Sequence, residues 1–148
     1  RDRLRSRGLG DVYKRQLELP DGKIVYGKTS ELLGASSALL LNALKELAGI
    51  DHKHHVISPD ALRPIQELKT KYLGSKNPRL HSDETLIALS ISAANNPEAR
   101  LSLEQIASLK GCQAHTSVML SSVDIQAFRK LGIELTCEPK FEKEKKYM

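Results

Sequence analysis

One apolar stretch, from Glu31 to Ala48, limits what this chain can become. Leu32, Leu33, Leu39, Leu40, Leu41, Leu44 and Leu47 cover most of the circumference of a helix drawn over it. Glu31, Asn42, Lys45 and Glu46 align with Ala35 and Ala38 in one narrow polar stripe. A helix apolar on so many sides belongs inside a larger core. It would run about five turns, or roughly 27 Å. That is too short and too interrupted for a membrane span, so no membrane partner is expected. Thr29 or Ser30 is the expected N-cap, Glu31 would sit at the positive end of the helix dipole, and Gly49 is the expected left-handed stop. Gly34, Ser36 and Ser37 fall on otherwise apolar faces. They suit close packing, with hydroxyls bonded back to carbonyls a turn earlier, and equally a helix tip lining a ligand site.

The first sixteen residues are expected to be foreign to the domain. Asp11–Gln16 back-translates to GATGTGTATAAGAGACAG, a transposase end used in sequencing adapters, and Ser6–Gly10 fits the bases before it. A basic targeting arm is the other reading, but the apolar centre of a signal peptide is missing. Six of the 23 basic and two of the 18 acidic residues lie in Arg1–Gln16, which leaves 17 against 16. A nearly neutral domain has no electrostatic footprint for nucleic acid. Leu17 has no methionine before it, so native sequence upstream is expected to be missing. The remainder is long enough for one domain with a core, expected over residues 17–141, followed by a charged tail at 142–148. Cys112 and Cys137 lack metal-type spacing and read as reduced thiols of a cytoplasmic protein.

Along the chain, Leu17–Leu19 and Lys23–Gly27 form a hairpin around the turn residues Pro20-Asp21-Gly22. Val56–Ser58 is expected as a buried strand. A helix follows from Pro59, capped by Ser58, to about Leu73. Residues 74–81 read as a loop. A largely buried helix over Glu84–Asn95, capped by Ser82 or Asp83, comes next. Ser102-Leu103-Glu104-Gln105 resembles a capping box for a helix ending near Gly111. Gln113–Leu120 and Ile133–Cys137 are strands around a helix capped by Ser121 or Ser122. This order predicts an α/β domain, with a mixed, mainly parallel sheet covered by helices.

Gly22–Thr29 matches the phosphate-loop pattern G-x-x-x-x-G-K-[ST]. Such a loop needs a strand before its first glycine, whereas here the interval Ile24–Tyr26 is itself the strand. A weaker expectation remains, that amides at a helix start near Lys28, Thr29 and Ser30 hold a phosphate or carboxylate. His52, His54 and His55 lie in a polar turn with no matching ligand set, so no metal is expected. Lys76, Asn77, Arg79, His81 and Asp83 form the densest polar cluster between apolar elements. His115, on a strand, fits either a cleft or a satisfied place in the core.

Four blocks resemble a known family: Lys28-Thr29-Ser30 with Gly34–Ala38, Leu73–His81, Ala88–Ala94, and Leu131-Gly132-Ile133 with Leu135–Pro139. They are similar to the C-terminal part of uncharacterised protein family 0371, a bacterial domain-of-unknown-function family. The resemblance implies a soluble bacterial protein whose larger N-terminal portion is its first partner. It implies no reaction and no particular cofactor. The element order also resembles a cytidine-deaminase-like layout, without the His-x-Glu and Cys-x-x-Cys that would bind zinc.

The residues together point to one domain of an enzyme for a small anionic or phosphorylated metabolite. Lys28, Thr29, Ser30, Ser36, Ser37, Lys76, Asn77 and Arg79 are the expected binding residues, with His81 as acid–base group. The alternative is a non-catalytic assembly module, in a homo-oligomer or between domains.

Overall fold

The computed structural model describes residues 15–117 and 120–137. Most of the adapter-like segment, the end of the strand expected to reach Leu120, and the charged tail lie outside them. Strands β1 (Arg15–Glu18) and β2 (Ile24–Tyr26) form the hairpin. Then come α1 (Ala35–Ala48), α2 (Pro59–Glu67), α3 (Ser82–Ser92), α4 (Pro97–Leu103), β3 (Gln113–Thr116), α5 (Ser122–Lys130) and β4 (Glu134–Cys137). A wider, π-helical turn over Leu68–Tyr72 extends α2 almost to the expected end at Leu73. A short 3-10 turn, Ile106–Leu109, precedes β3.

The sheet order is β2-β1-β3-β4. The sheet is mixed, as expected, but it is not mainly parallel between neighbours. β1 runs antiparallel to both β2 and β3, and only β3 and β4 pair in parallel. The cause is the hairpin, whose first strand is inserted in the sheet interior rather than left at its edge. Arg15 and Gln16 extend β1, since backbone pairing asks little of side-chain identity. Register puts Val25, Leu17, Ala114 and Leu135 side by side across the four strands. This row belongs to the core with α1.

Helix α1 lies in the middle of the molecule, between β1 and β2 on one side and α3 and α4 on the other. Leu39, Leu40, Ala43 and Leu44 are at most 2% exposed. Each such leucine contributes about 1.5–3 kcal/mol of burial. Gly49 is left-handed as expected (φ 74°), and the amide of Ile50 returns to the Lys45 carbonyl at 2.9 Å. Lys45, assigned to the polar stripe, is instead buried, because the 51–55 loop folds over it. Its ammonium donates to the carbonyls of His52 and His54. Burial lowers its pKa, and the charges of Asp51 and Glu98 oppose that shift.

Four local expectations change. Helix α1 begins at Ala35, not Glu31, because residues 31 and 32 bend, Leu33 forms a parallel bridge with Leu80, and Gly34 stays extended. Val56 and Ile57 are buried but form no strand, since no sheet edge reaches them. Ser102 does not start a helix. Asn96 caps α4 by accepting from the amides of Glu98 and Ala99, and Ser102 falls inside it. Helix α3 is buried on one side only, leaving Ile87 and Ile91 exposed. Cys112 is a buried free thiol whose pKa is raised by desolvation.

The buried Ser102 hydroxyl has no hydrogen-bond partner among the described residues. An unsatisfied buried polar group costs about 1–3 kcal/mol, more than the few atoms removed would contribute. Ser102→Ala is therefore expected to leave stability unchanged or to raise it, measured by urea unfolding. A clear loss would mean the hydroxyl is satisfied in solution.

Candidate functional site

Three helices begin at one place. The Leu33–Leu80 bridge brings the start of α1 beside the start of α3: the Leu80 amide donates to the Leu32 carbonyl at 3.0 Å, and the Gly34 amide to the Leu80 carbonyl at 3.3 Å. Helix α5 joins them through Asp124, whose Oδ1 accepts from the Ser82 amide at 3.0 Å and the Ser82 hydroxyl at 2.7 Å. Between these ends lies a cleft of about 360 Å³. Gly34, Ala35 and Ser36 line it from α1, Leu80 and His81 from the start of α3, and Ser121 and Asp124 from α5. Thr29, Asn77 and Arg79 close it from two loops, and Arg15 from β1.

Helix α1 differs from α2, α4 and α5 at this end. Side chains of Ser58, Asn96 and Ser121 cap α2, α4 and α5. Gly34, at the N-cap of α1, supplies none, and the first turn carries no acidic residue. The leading amides of α1 thus keep their donor capacity at the positive end of the dipole. Ser36, 2% exposed, accepts from Arg15 Nε at 3.0 Å and gives its own proton to no acceptor among the described residues.

Arg79 is fixed at its base. Its Nε donates to the Ser30 carbonyl, and its amide to Asn77 Oδ1 at 3.1 Å. The two terminal guanidinium nitrogens have no partner among the described residues, and these suit bidentate oxyanion contacts. Lys69 holds the same loop from beneath. The wide turn directs this lysine inward, where its ammonium donates to the Arg79 carbonyl and to Glu84 Oε1 at 2.9 Å. Glu84 Oε1 also accepts from the His81 amide at 2.8 Å.

Five of the residues expected from sequence therefore meet in the cleft: Thr29, Ser36, Asn77, Arg79 and His81. The others do not line it. Ser37 is buried and donates to the Leu80 carbonyl at 2.7 Å. Ser30 spends its hydroxyl oxygen on the amides of Leu32 and Leu33, and its carbonyl on Arg79. Lys28 and Lys76 are exposed. The helix-start amides expected near Lys28–Ser30 belong instead to Ala35 and the residues after it. His115 lies in the row of Gln16, Tyr26 and Thr136, away from the cleft. Sequence reading missed Ser121 and Asp124 as lining residues. The Ser-Ser-Val-Asp cap was visible as a helix start, but its meeting with Ser82 is a contact between distant segments.

His81, Asp83 and Glu84 bring three possible metal-ligand atoms within 4.8 Å of one another. The Lys69 ammonium already sits on the Glu84 oxygen, so a cation occupies that corner. A second positive charge there would be repelled.

Fold and cleft together define an α/β domain whose polar site is built from converging helix N-termini. The model of the C-terminal domain of unknown function DUF1846 matches residues 7–147. The chain belongs to this family. It is 56% identical over 131 residues to the UPF0371 protein of Corynebacterium glutamicum (strain R), which covers 88% of this chain and 26% of that protein. Identity is 50%, with the same coverage, to UPF0371 protein stu1377 of Streptococcus thermophilus (strain ATCC BAA-250 / LMG 18311). The chain thus spans about a quarter of the length of these relatives. Among the described residues, no helix is long and apolar enough to cross a membrane.

Proposed function

We propose that this domain supplies part of a binding site for a small anionic or phosphorylated metabolite in a cytoplasmic enzyme. The observation that carries this reading is the uncapped start of α1, opening into the same cleft as the terminal nitrogens of Arg79. Free amides at a helix N-terminus and an anchored guanidinium both favour an oxyanion. Thr29, Ser36 and Asn77 would add neutral donors. Lys28 and Lys76, each one residue before a lining residue, would raise the local anion concentration from the rim. His81, held at the start of α3 and lining the cleft, would exchange a proton with a bound ligand. The opening hairpin, with β1 antiparallel beside β3 and a β3-α5-β4 unit paired in parallel, supports a deaminase-like layout as architecture, which does not fix chemistry.

Thermal melting of the chain in phosphate against chloride at equal ionic strength tests this. At a hundredfold excess over Kd, a specific ligand stabilises by about 2.7 kcal/mol. The upward shift is expected in the parent chain and not in Arg79→Ala. No shift in the parent removes the reading.

A second reading rests on a different surface. Ile87 and Ile91 on α3, with Tyr72 at the end of the wide turn and Leu73 after it, are 58–71% exposed. Such residues suit contact with the remainder of the longer protein or with a second copy. Sedimentation of this chain as a monomer at all concentrations counts against the second copy.

A further inference from the structure

The anion cleft contains a carboxylate, which a simple anion would avoid. Asp124 lines the cleft, yet both of its side-chain bonds use Oδ1. Oδ2 has no partner among the described residues. A bare oxyanion beside it would be repelled, because like charges at close range cost energy. A ligand that presents a hydroxyl proton to Oδ2 removes the conflict and gains a charge-assisted bond.

The other walls choose between kinds of anion. Donors reach the cleft from α1 through its amides, from the 74–81 loop through Arg79 and Asn77, and from the segment before α1 through Thr29. A planar carboxylate offers two oxygens in one plane. A phosphoryl group offers three strong acceptor oxygens in three directions, and so can engage all of these elements.

Building on the anion-binding reading above, we infer that the ligand is a phosphate monoester of a small polyol: its phosphoryl group meets Arg79 and the start of α1, and a hydroxyl donates to Asp124. The volume of about 360 Å³ suits a skeleton of a few carbons.

The test is calorimetric titration of this chain with inorganic phosphate, n-propyl phosphate and glycerol 3-phosphate. Propyl and glycerol phosphates share the ester and chain length and differ in their hydroxyls. Glycerol 3-phosphate is expected to bind at least about tenfold more tightly than propyl phosphate, the scale of one charge-assisted hydrogen bond. In Asp124→Asn this ratio should fall, because the neutral amide can offer the hydroxyl only an uncharged hydrogen bond. That variant keeps an oxygen for Ser82 and turns a donor toward the ligand. If Asp124→Asn does not fold, the parent ratio still decides. Equal binding of the two esters, with affinity still dependent on Arg79, overturns the polyol inference and leaves the anion reading intact. A ratio that persists in a folded Asp124→Asn also overturns it. No binding of any of the three phosphates overturns both.

Discussion

Gly27→Ala is expected to destabilise the domain by about 3 kcal/mol or more, roughly 10 °C in melting temperature at this size. A methyl group built on Gly27 would lie 2.3 Å from the Ala35 carbonyl oxygen and 2.7 Å from both Cβ and N of Leu39. Two of those three atoms are backbone, so no rotamer change relieves the contact. The end of β2 and the first turn of α1 would have to separate. Because Ala35 and Ser36 line the cleft, phosphate stabilisation should fall in the same variant. Circular dichroism melting reads the first effect, and the phosphate-dependent shift reads the second. A variant melting with its parent would show that strand and helix do not approach so closely. The glycine that completes the phosphate-loop pattern is thus explained by packing, not by phosphate.

Lys69→Met is the second large effect. Lys69 is 8% exposed at its side chain and Glu84 27%. Breaking a buried ion pair from one side costs about 3–5 kcal/mol, and the partial exposure of Glu84 puts the expected loss near 3. Methionine fills the space but leaves the Arg79 carbonyl and a Glu84 oxygen without the donor. Urea unfolding measures the loss. Because the lysine also holds the backbone of Arg79 directly, and of His81 through Glu84, phosphate affinity should drop as well. A loss below about 1 kcal/mol would place the pair in the range of solvent-exposed bridges. Lysine at this depth is reached only because the turn over Leu68–Tyr72 is wider than an α-helix.

What could be read from sequence follows the range of the interactions involved. Gly49, Ser58 with Pro59, and the Pro20–Gly22 turn act within a few residues, and each does what its chemistry predicts. The central position of α1 was legible because its apolar circumference needs cover on all sides. Its start was not. Thr29 and Ser30 are good caps locally, but a bridge to Leu80, nearly fifty residues away, keeps the chain out of the helix as far as Gly34. The same bridge explains why Thr29 and Ser36 meet Asn77, Arg79 and His81 in one cleft. Asp124 stayed hidden, since its partner Ser82 is forty-two residues distant. The exposed face of α3 was misjudged because Ile87 and Ile91 resemble core residues wherever they point.

The reversed strand in the sheet interior has a kinetic consequence. Leu17 pairs with Ala114, about a hundred residues later in the chain. Loop closure over that span is slow and earns no stabilisation until nearly all of the chain is available. During synthesis the opening hairpin must wait, one long flank unpaired, for a strand emerging from the ribosome many seconds afterward. Shielding that flank in the interval, by helix α1 or by a chaperone, is a requirement written into the order of the strands.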